Sequence, residues 1–207
     1  MIPARRINLF SNWFALYTRY RMRRIFNRLV VRPFTPKEGH SILLLCNHFG
    51  WWDGLWGNYV AYWYLKRKSY VLMQEDHLRK RMLLNLFGAF SINRTSRDMI
   101  TSLQYTANVL NDPENLVIVF PQGKLISNHV TEIVVEKGIE LLIKNIKGPC
   151  QIVYSCALIE YFESLKPSVY LHLFDCGVAG EASFNELTEK INMFHKQALK
   201  DQVNVEH

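Results

Sequence analysis

The clearest signal along the chain is a set of short apolar runs separated by longer stretches of helical period. "SILLLCN" (41–47) and "LVIVFP" (116–121) are continuous apolar runs, the pattern of strands buried on both faces. "SYVLMQ" (69–74), "AFSINR" (89–94) and the late segments "QIVYSCALIE" and "SVYLHLFDCG" read as further strands. Helices are predicted over about 53–66, over 75–88 with a stop at Gly88, and over 95–111, where Thr95 and Asp98 have capping-box spacing. Another is expected over 131–146, with Ile133, Val134, Ile139, Leu142 and Ile143 apolar, and a last one from Ser183 to Val203, opened by Ser183 and Glu186. Strands alternating with helices predict an α/β fold: a mixed, mostly parallel central sheet flanked by helices, with an N-terminal amphipathic helical segment. The chain contains no internal repeat and no low-complexity segment.

The N-terminal segment has a different character. "INLFSNWFALYTRYRMRRIFNRLVV" interleaves arginines with large apolar side chains, and the turn-rich "RPFTPKEGH" follows it. This divides the chain into a basic segment, 1–36, and an α/β domain, 37–207. Net charge sharpens the division. The formal charge is +7, yet residues 1–37 hold eight arginines, one lysine and no acidic residue, which leaves −2 for the remainder. A basic, aromatic-rich helix suits the headgroup region of an anionic membrane, with Trp13, Phe14, Arg19, Arg23 and Arg24 as the contact residues. Two other readings fit the same composition: packing on its own domain with a solvated basic face, and binding to nucleic acid. The longest charge-free stretch, 7–18, is shorter than the roughly 20 apolar residues a spanning helix needs, and no cleavage-like site marks a targeting peptide.

Composition adds two constraints. With 49% hydrophobic and 21% charged residues the chain is globular in type. Cys46, Cys150, Cys156 and Cys176 form no C-x-x-C pair and sit mostly in apolar runs, so they are expected as buried free thiols in a reducing compartment.

Ligand sites of open α/β sheets lie beyond the carboxyl ends of the strands. Three polar clusters fall there: "NHFGWWD" after 41–46, "NR" at 93–94, and "PQGK" after 116–120. His48 and Asp53, five apart, would not meet on one helix. With His48 in a loop and Asp53 in a first helical turn they would meet, with Gly50 letting the chain fold back. Asp53 would then fix the imidazole tautomer and stabilise the imidazolium, as a general base acting on a hydroxyl requires. The plainer alternative is a helix-capping aspartate beside an ordinary loop histidine. Arg94 can grip phosphate or carboxylate. Backbone N–H groups around Gly123 can hold an anion or a developing oxyanion, unless "PQGK" is only a turn.

Taken together these residues resemble the glycerol-3-phosphate and 1-acylglycerol-3-phosphate acyltransferase family, the lysophospholipid acyltransferases. "NHFGWWD" matches N-H-x4-D, "GAFSINR" matches G-x-x-F-I-x-R with Ser91 for phenylalanine, "FPQGK" corresponds to F-P-E-G-[TS], and "VYSCAL" to V-x-P-x-[IV] with Ser155 for proline. The order and spacing match over about 41–160. Gln122 stands where the family has glutamate, and Lys124 where it has threonine or serine, which shifts this corner toward positive charge.

The resemblance implies a membrane-associated O-acyltransferase using acyl-CoA or acyl-carrier protein as co-substrate, with neither metal nor cofactor. His48 and Asp53 are the implied catalytic pair. Asn47, Arg94, Pro121, Gln122, Gly123 and Lys124 are the implied substrate-binding residues, and Trp51, Trp52 and Trp56 are candidates to accommodate an acyl chain. Lysophosphatidate is the family's default acceptor; the altered motifs leave a glycolipid, a lyso-aminolipid or a glycosylated pigment open, and a non-catalytic lipid-binding module on the same shell. The expected partners are a lipid surface, the acyl donor and a lipid acceptor, with no nucleic acid, at the cytoplasmic face of a membrane as a peripheral or monotopic protein.

Overall fold

The computed structural model describes residues 1–93 and 96–205. After helix α1 (Asn8–Ile25) come strands β1 (Leu29–Val31) and β2 (Ser41–Cys46). Then follow α2 (Asp53–Tyr59), extended by a π turn over Val60–Tyr64, β3 (Lys68–Gln74), α3 (Glu75–Arg79), a 3-10 turn over Met82–Phe87 and β4 (Ala89–Ile92). The rest is α4 (Ser96–Val109), β5 (Asn115–Val119), α5 (Gly138–Asn145), β6 (Cys150–Glu160), β7 (Ser168–Val178) and α6 (Phe184–Val203). The strands form one seven-stranded sheet in the order β1-β7-β6-β2-β5-β3-β4. β6 and β7 pair antiparallel; the other neighbours are parallel. This is the mixed, mostly parallel α/β sheet expected from the sequence.

Side-chain alternation across the pleat explains the continuous apolar runs. In β2, Ile42, Leu44 and Cys46 face a core shared with α2 and the end of α1, while Leu43 and Leu45 face the core under α4, α5 and α6. β5 divides likewise, with Leu116 and Ile118 on one side and Val117 and Val119 on the other. A strand covered on both faces needs no polar positions, so its sequence reads as unbroken apolar.

Two predicted helices are shorter than their periodicity suggested. Over 75–88 the α-helix stops at Arg79 and the chain resumes as a 3-10 turn ending at Gly88, whose φ of 104° is left-handed. A Cβ at Gly88 would lie 2.5 Å from the Ser69 carbonyl oxygen, so β3 and β4 approach there only because the residue is glycine. Over 131–137 the chain is irregular. The Ile133 N–H donates to Asn192 Oδ1 on α6 and the Glu136 N–H to the Pro121 carbonyl, so tertiary bonds take donors a helix would have used. The expected cap Thr95 lies outside the described residues, whereas the Ser183–Glu186 capping box is present.

Residues 1–36 are built into the domain. β1 is an edge strand of the sheet, the Ser91 N–H donates to the Ile2 carbonyl, and α1 packs on α2 and on the 3-10 turn, while Tyr62 and Trp63 of the π turn donate to Asn12 Oδ1 and the Ala15 carbonyl. α1 buries its small and polar side, Ser11, Ala15 and Thr18, together with Met22. Leu9, Phe10, Trp13, Leu16, Tyr17 and Tyr20 are exposed. No helix among the described residues is long and apolar enough to cross a membrane.

Candidate active site

The parallel register brings the ends of β2 and β5 side by side, with Leu45 opposite Val119. The loops leaving these ends hold the two polar clusters against each other. Asn47 anchors the first. Its side-chain amide donates to the Ala157 carbonyl at 3.0 Å, and its oxygen accepts the Ala157 N–H at 2.8 Å. Asn47, expected among the substrate-binding residues, is thus buried and bonded to β6, and so fixes where the next residue begins.

That residue is His48. Its Nδ1 lies 2.7 Å from Asp53 Oδ2, and the same oxygen accepts the N–H groups of Phe49 at 2.7 Å and Gly50 at 2.9 Å. Asp53 therefore does not cap its own helix; it folds the preceding loop back onto itself. An ionised carboxylate only accepts, so Nδ1 carries the ring hydrogen and Nε2 keeps its lone pair. Gly50 is not left-handed, and a Cβ there would meet Asp53 Oδ1 at an ordinary 3.8 Å. The fold-back expected of this glycine is the work of the carboxylate. The Asp53 side chain is 1% exposed and that of His48 25%. A nearly dry carboxylate thus holds an imidazole that reaches solvent.

The second cluster supports the ring from the other side. The Phe120 ring stacks on it, with centroids 4.1 Å apart. Gln122 Oε1 accepts the His48 N–H at 2.7 Å, and the Ile126 N–H donates to the His48 carbonyl at 2.8 Å. Gln122, expected to bind substrate, is 2% exposed and holds the histidine loop; Pro121, expected likewise, is buried with its carbonyl engaged by Glu136. Gly123 is left-handed, φ 64°, and its N–H closes a turn onto the Phe120 carbonyl at 3.1 Å. The exposed Lys124 follows it. Arg94, expected beside this cluster, lies outside the described residues.

The tryptophans part company. Trp56, a candidate for the acyl pocket, is buried in the core, edge-on to Phe26. Trp52 is half-buried between Phe26 and Trp51, and Trp51 is 67% exposed. In α1, Phe14, an expected membrane contact, stacks on Phe87 at 4.3 Å on the side facing the protein. Arg19 sits over the Trp63 ring, and Trp13, Arg23 and Arg24 are exposed.

His195 belongs to none of the sequence motifs, and Phe120 enters them only as the first residue of "FPQGK". Phe120 is hidden at the end of a uniform apolar run. His195 left a trace, because it falls on the buried stripe Leu187, Ile191, His195, Ala198 and Gln202 of α6. Its Nε2–H donates to the Val130 carbonyl at 2.9 Å, so its Nδ1 accepts the Tyr154 O–H at 2.9 Å. Burial lowers its pKa from the ordinary 6.5, which keeps it neutral. Burial and then the Asp53 charge push the Cys46 thiol well above its ordinary range, so it is no nucleophile. All four cysteines are buried and free. Among the described residues no group of three or more His, Cys, Asp or Glu side chains converges.

The acyltransferase family model matches residues 27–159, which include His48, Asp53 and the Phe120–Lys124 turn. A 1-acyl-sn-glycerol-3-phosphate acyltransferase of Streptococcus pneumoniae is 28% identical over 99 residues, 46% of this chain and 36% of that protein. The chain thus matches little more than a third of that relative's length. The crystal structure of the 1-acyl-sn-glycerophosphate (LPA) acyltransferase PlsC of Thermotoga maritima superposes with a TM-score of 0.64 at 16% identity, covering 95% of this chain and 81% of that one.

Proposed function

The chain belongs to the acyltransferase family, and from that premise we propose that it transfers a fatty acyl group from an acyl thioester to the hydroxyl of a lipid at a membrane surface, with His48 as general base. The observation that carries the proposal is the 2.7 Å contact between His48 Nδ1 and a buried Asp53 carboxylate, with the other ring nitrogen left as the acceptor.

His48 Nε2 takes the proton of the acceptor hydroxyl as its oxygen attacks the thioester carbonyl. Asp53 stabilises the imidazolium that forms. The C–O bond is made, the carbonyl becomes an oxyanion, and collapse breaks the C–S bond. The thiolate leaves with the proton returned by His48, so proton and electron pair balance. The Gly123 N–H is committed to its turn, so the other backbone N–H groups near Gly123 are the donors assigned to the oxyanion. Lysophosphatidate is the acceptor the relatives' names suggest, with Lys124 and Arg94 as cations for its phosphate. The donor is acyl-CoA or acyl-carrier protein.

Membrane contact is assigned to α1. On a helix of 100° per residue Leu9, Trp13, Leu16 and Tyr20 fall within about 60° of one another, and Arg23 and Arg24 border that stripe. A helix that buries serine, alanine and threonine while presenting tryptophan, leucine and tyrosine suits a lipid interface better than water. The proposal is tested by mixing the purified protein with acyl-CoA and a panel of lysolipids and following thiol release. Acceptor-dependent release is expected, fastest with lysophosphatidate. Release with none of the acceptors, from either donor, would refute it.

A further inference from the structure

We infer that the tip of the β6–β7 hairpin is a second membrane contact that, with α1, presents the His48 opening to the bilayer. This rests on the membrane-surface reading of α1. β2 ends at Cys46, opposite Ser155, whereas β6 runs on to Glu160. Those five further residues carry the hairpin roughly 16 Å past the base of the His48 loop, on the same end of the sheet. Its tip is apolar where water would favour polar side chains. Leu165 is 100% exposed, and Tyr161 and Phe162 are exposed beside it. Phe162 holds a left-handed φ of 45°, an unfavourable conformation for a bulky residue. Strain of this kind persists where the surroundings enforce it and marks segments with a task.

The tip is continuous with α1. The Asn27 N–H donates to the Pro167 carbonyl and the Val169 N–H to the Arg28 carbonyl, so the hairpin's return leg is bonded to the chain just after the helix. An open groove of about 370 Å³ lies between them, lined by Asn27, Arg28, Tyr161, Phe162, Glu163 and Tyr170. Arg28 lines the groove and Lys166 lies in the tip, whose residues 161–167 hold one acidic side chain, Glu163; Arg23 and Arg24 lie in the last turn of α1. Positive charge beside exposed leucine, tyrosine and phenylalanine matches an anionic lipid surface. Trp51 and Leu125 are also exposed, on the loops that carry His48 and Gly123.

The test compares full-length Leu165→Glu and Trp13→Glu with the parent by co-sedimentation with phosphatidylcholine vesicles containing phosphatidylglycerol, and by size-exclusion chromatography without lipid. Leu165 makes no buried contact, so its substitution leaves folding intact. Leu165→Glu is expected to weaken vesicle partitioning roughly tenfold, the scale of withdrawing one leucine from an apolar phase. It should leave the elution volume unchanged. Parent-like partitioning of Leu165→Glu beside a loss in Trp13→Glu would overturn the hairpin contact while sparing the membrane reading. A parent that ignores vesicles would overturn both. A shift in elution volume with unchanged partitioning would assign the tip to a second copy of the chain and overturn the inference.

Discussion

Replacing Asp53 by asparagine separates the two tasks of this side chain. Asp53 Oδ2 receives three hydrogens, from His48 Nδ1 and from the N–H groups of Phe49 and Gly50. Asparagine keeps an oxygen of similar reach for the two backbone donors, so the loop retains its path. Because that one oxygen receives all three hydrogens, it also stays on His48 Nδ1 and keeps the tautomer with Nε2 free; what the substitution removes is the charge. The imidazolium thus loses its counter-charge. Loss of that stabilisation should reduce kcat by about 10²–10⁴, the range general-base catalysis supplies. Stability should fall much less, by about 1.5–3 kcal/mol for one charge-assisted hydrogen bond. Asp53→Ala strands all three donors, so it should lose both activity and more stability. The assay is thiol release from acyl thioester at saturating acceptor, beside thermal unfolding of each variant. A kcat for Asp53→Asn within tenfold of the parent, with the variant folded, would refute the reasoning.

Three further outcomes are expected. Asn47→Ala leaves the N–H and carbonyl of Ala157 without partners and should cost about 3 kcal/mol, read from denaturant unfolding. Gly88→Ala should destabilise by more than the roughly 1 kcal/mol of a left-handed alanine, because its Cβ meets the Ser69 carbonyl; a parent-like unfolding midpoint would contradict the close approach. His195 has its folded pKa depressed below 6.5 by burial, so the unfolded chain binds the extra proton first as pH falls. Stability is therefore full above about pH 6.5 and declines below it, and His195→Gln should flatten that decline in unfolding free energy measured between pH 7 and 5.

Much of this arrangement is legible in the sequence, for physical reasons. β2 and β5 announce themselves because both faces are covered. His48, Asp53 and the "FPQGK" turn fall at strand ends, where an open parallel sheet collects its loops. Other parts leave little trace. β1 is a three-residue edge strand inside an arginine-rich segment, so its pairing with β7 shows no periodicity. The irregular 131–137 stretch has helix-compatible apolar spacing, but Asn192 and the Pro121 carbonyl take its hydrogen bonds. The side chains of Asn47 and Gln122 look like ligand groups in a motif, whereas the structure spends both on shaping the histidine loop. Trp56 is aromatic and next to the site, yet its position on the inner face of α2 makes it core.

The most direct test of the account is the single-turnover rate of acyl transfer by folded His48→Gln, measured with labelled acyl thioester and the best lysolipid acceptor. Removing the base should slow transfer by about 10²–10⁴ while the unfolding midpoint stays near that of the parent. Transfer at the parent rate would show that the imidazole held by Asp53 does not take the acceptor's proton.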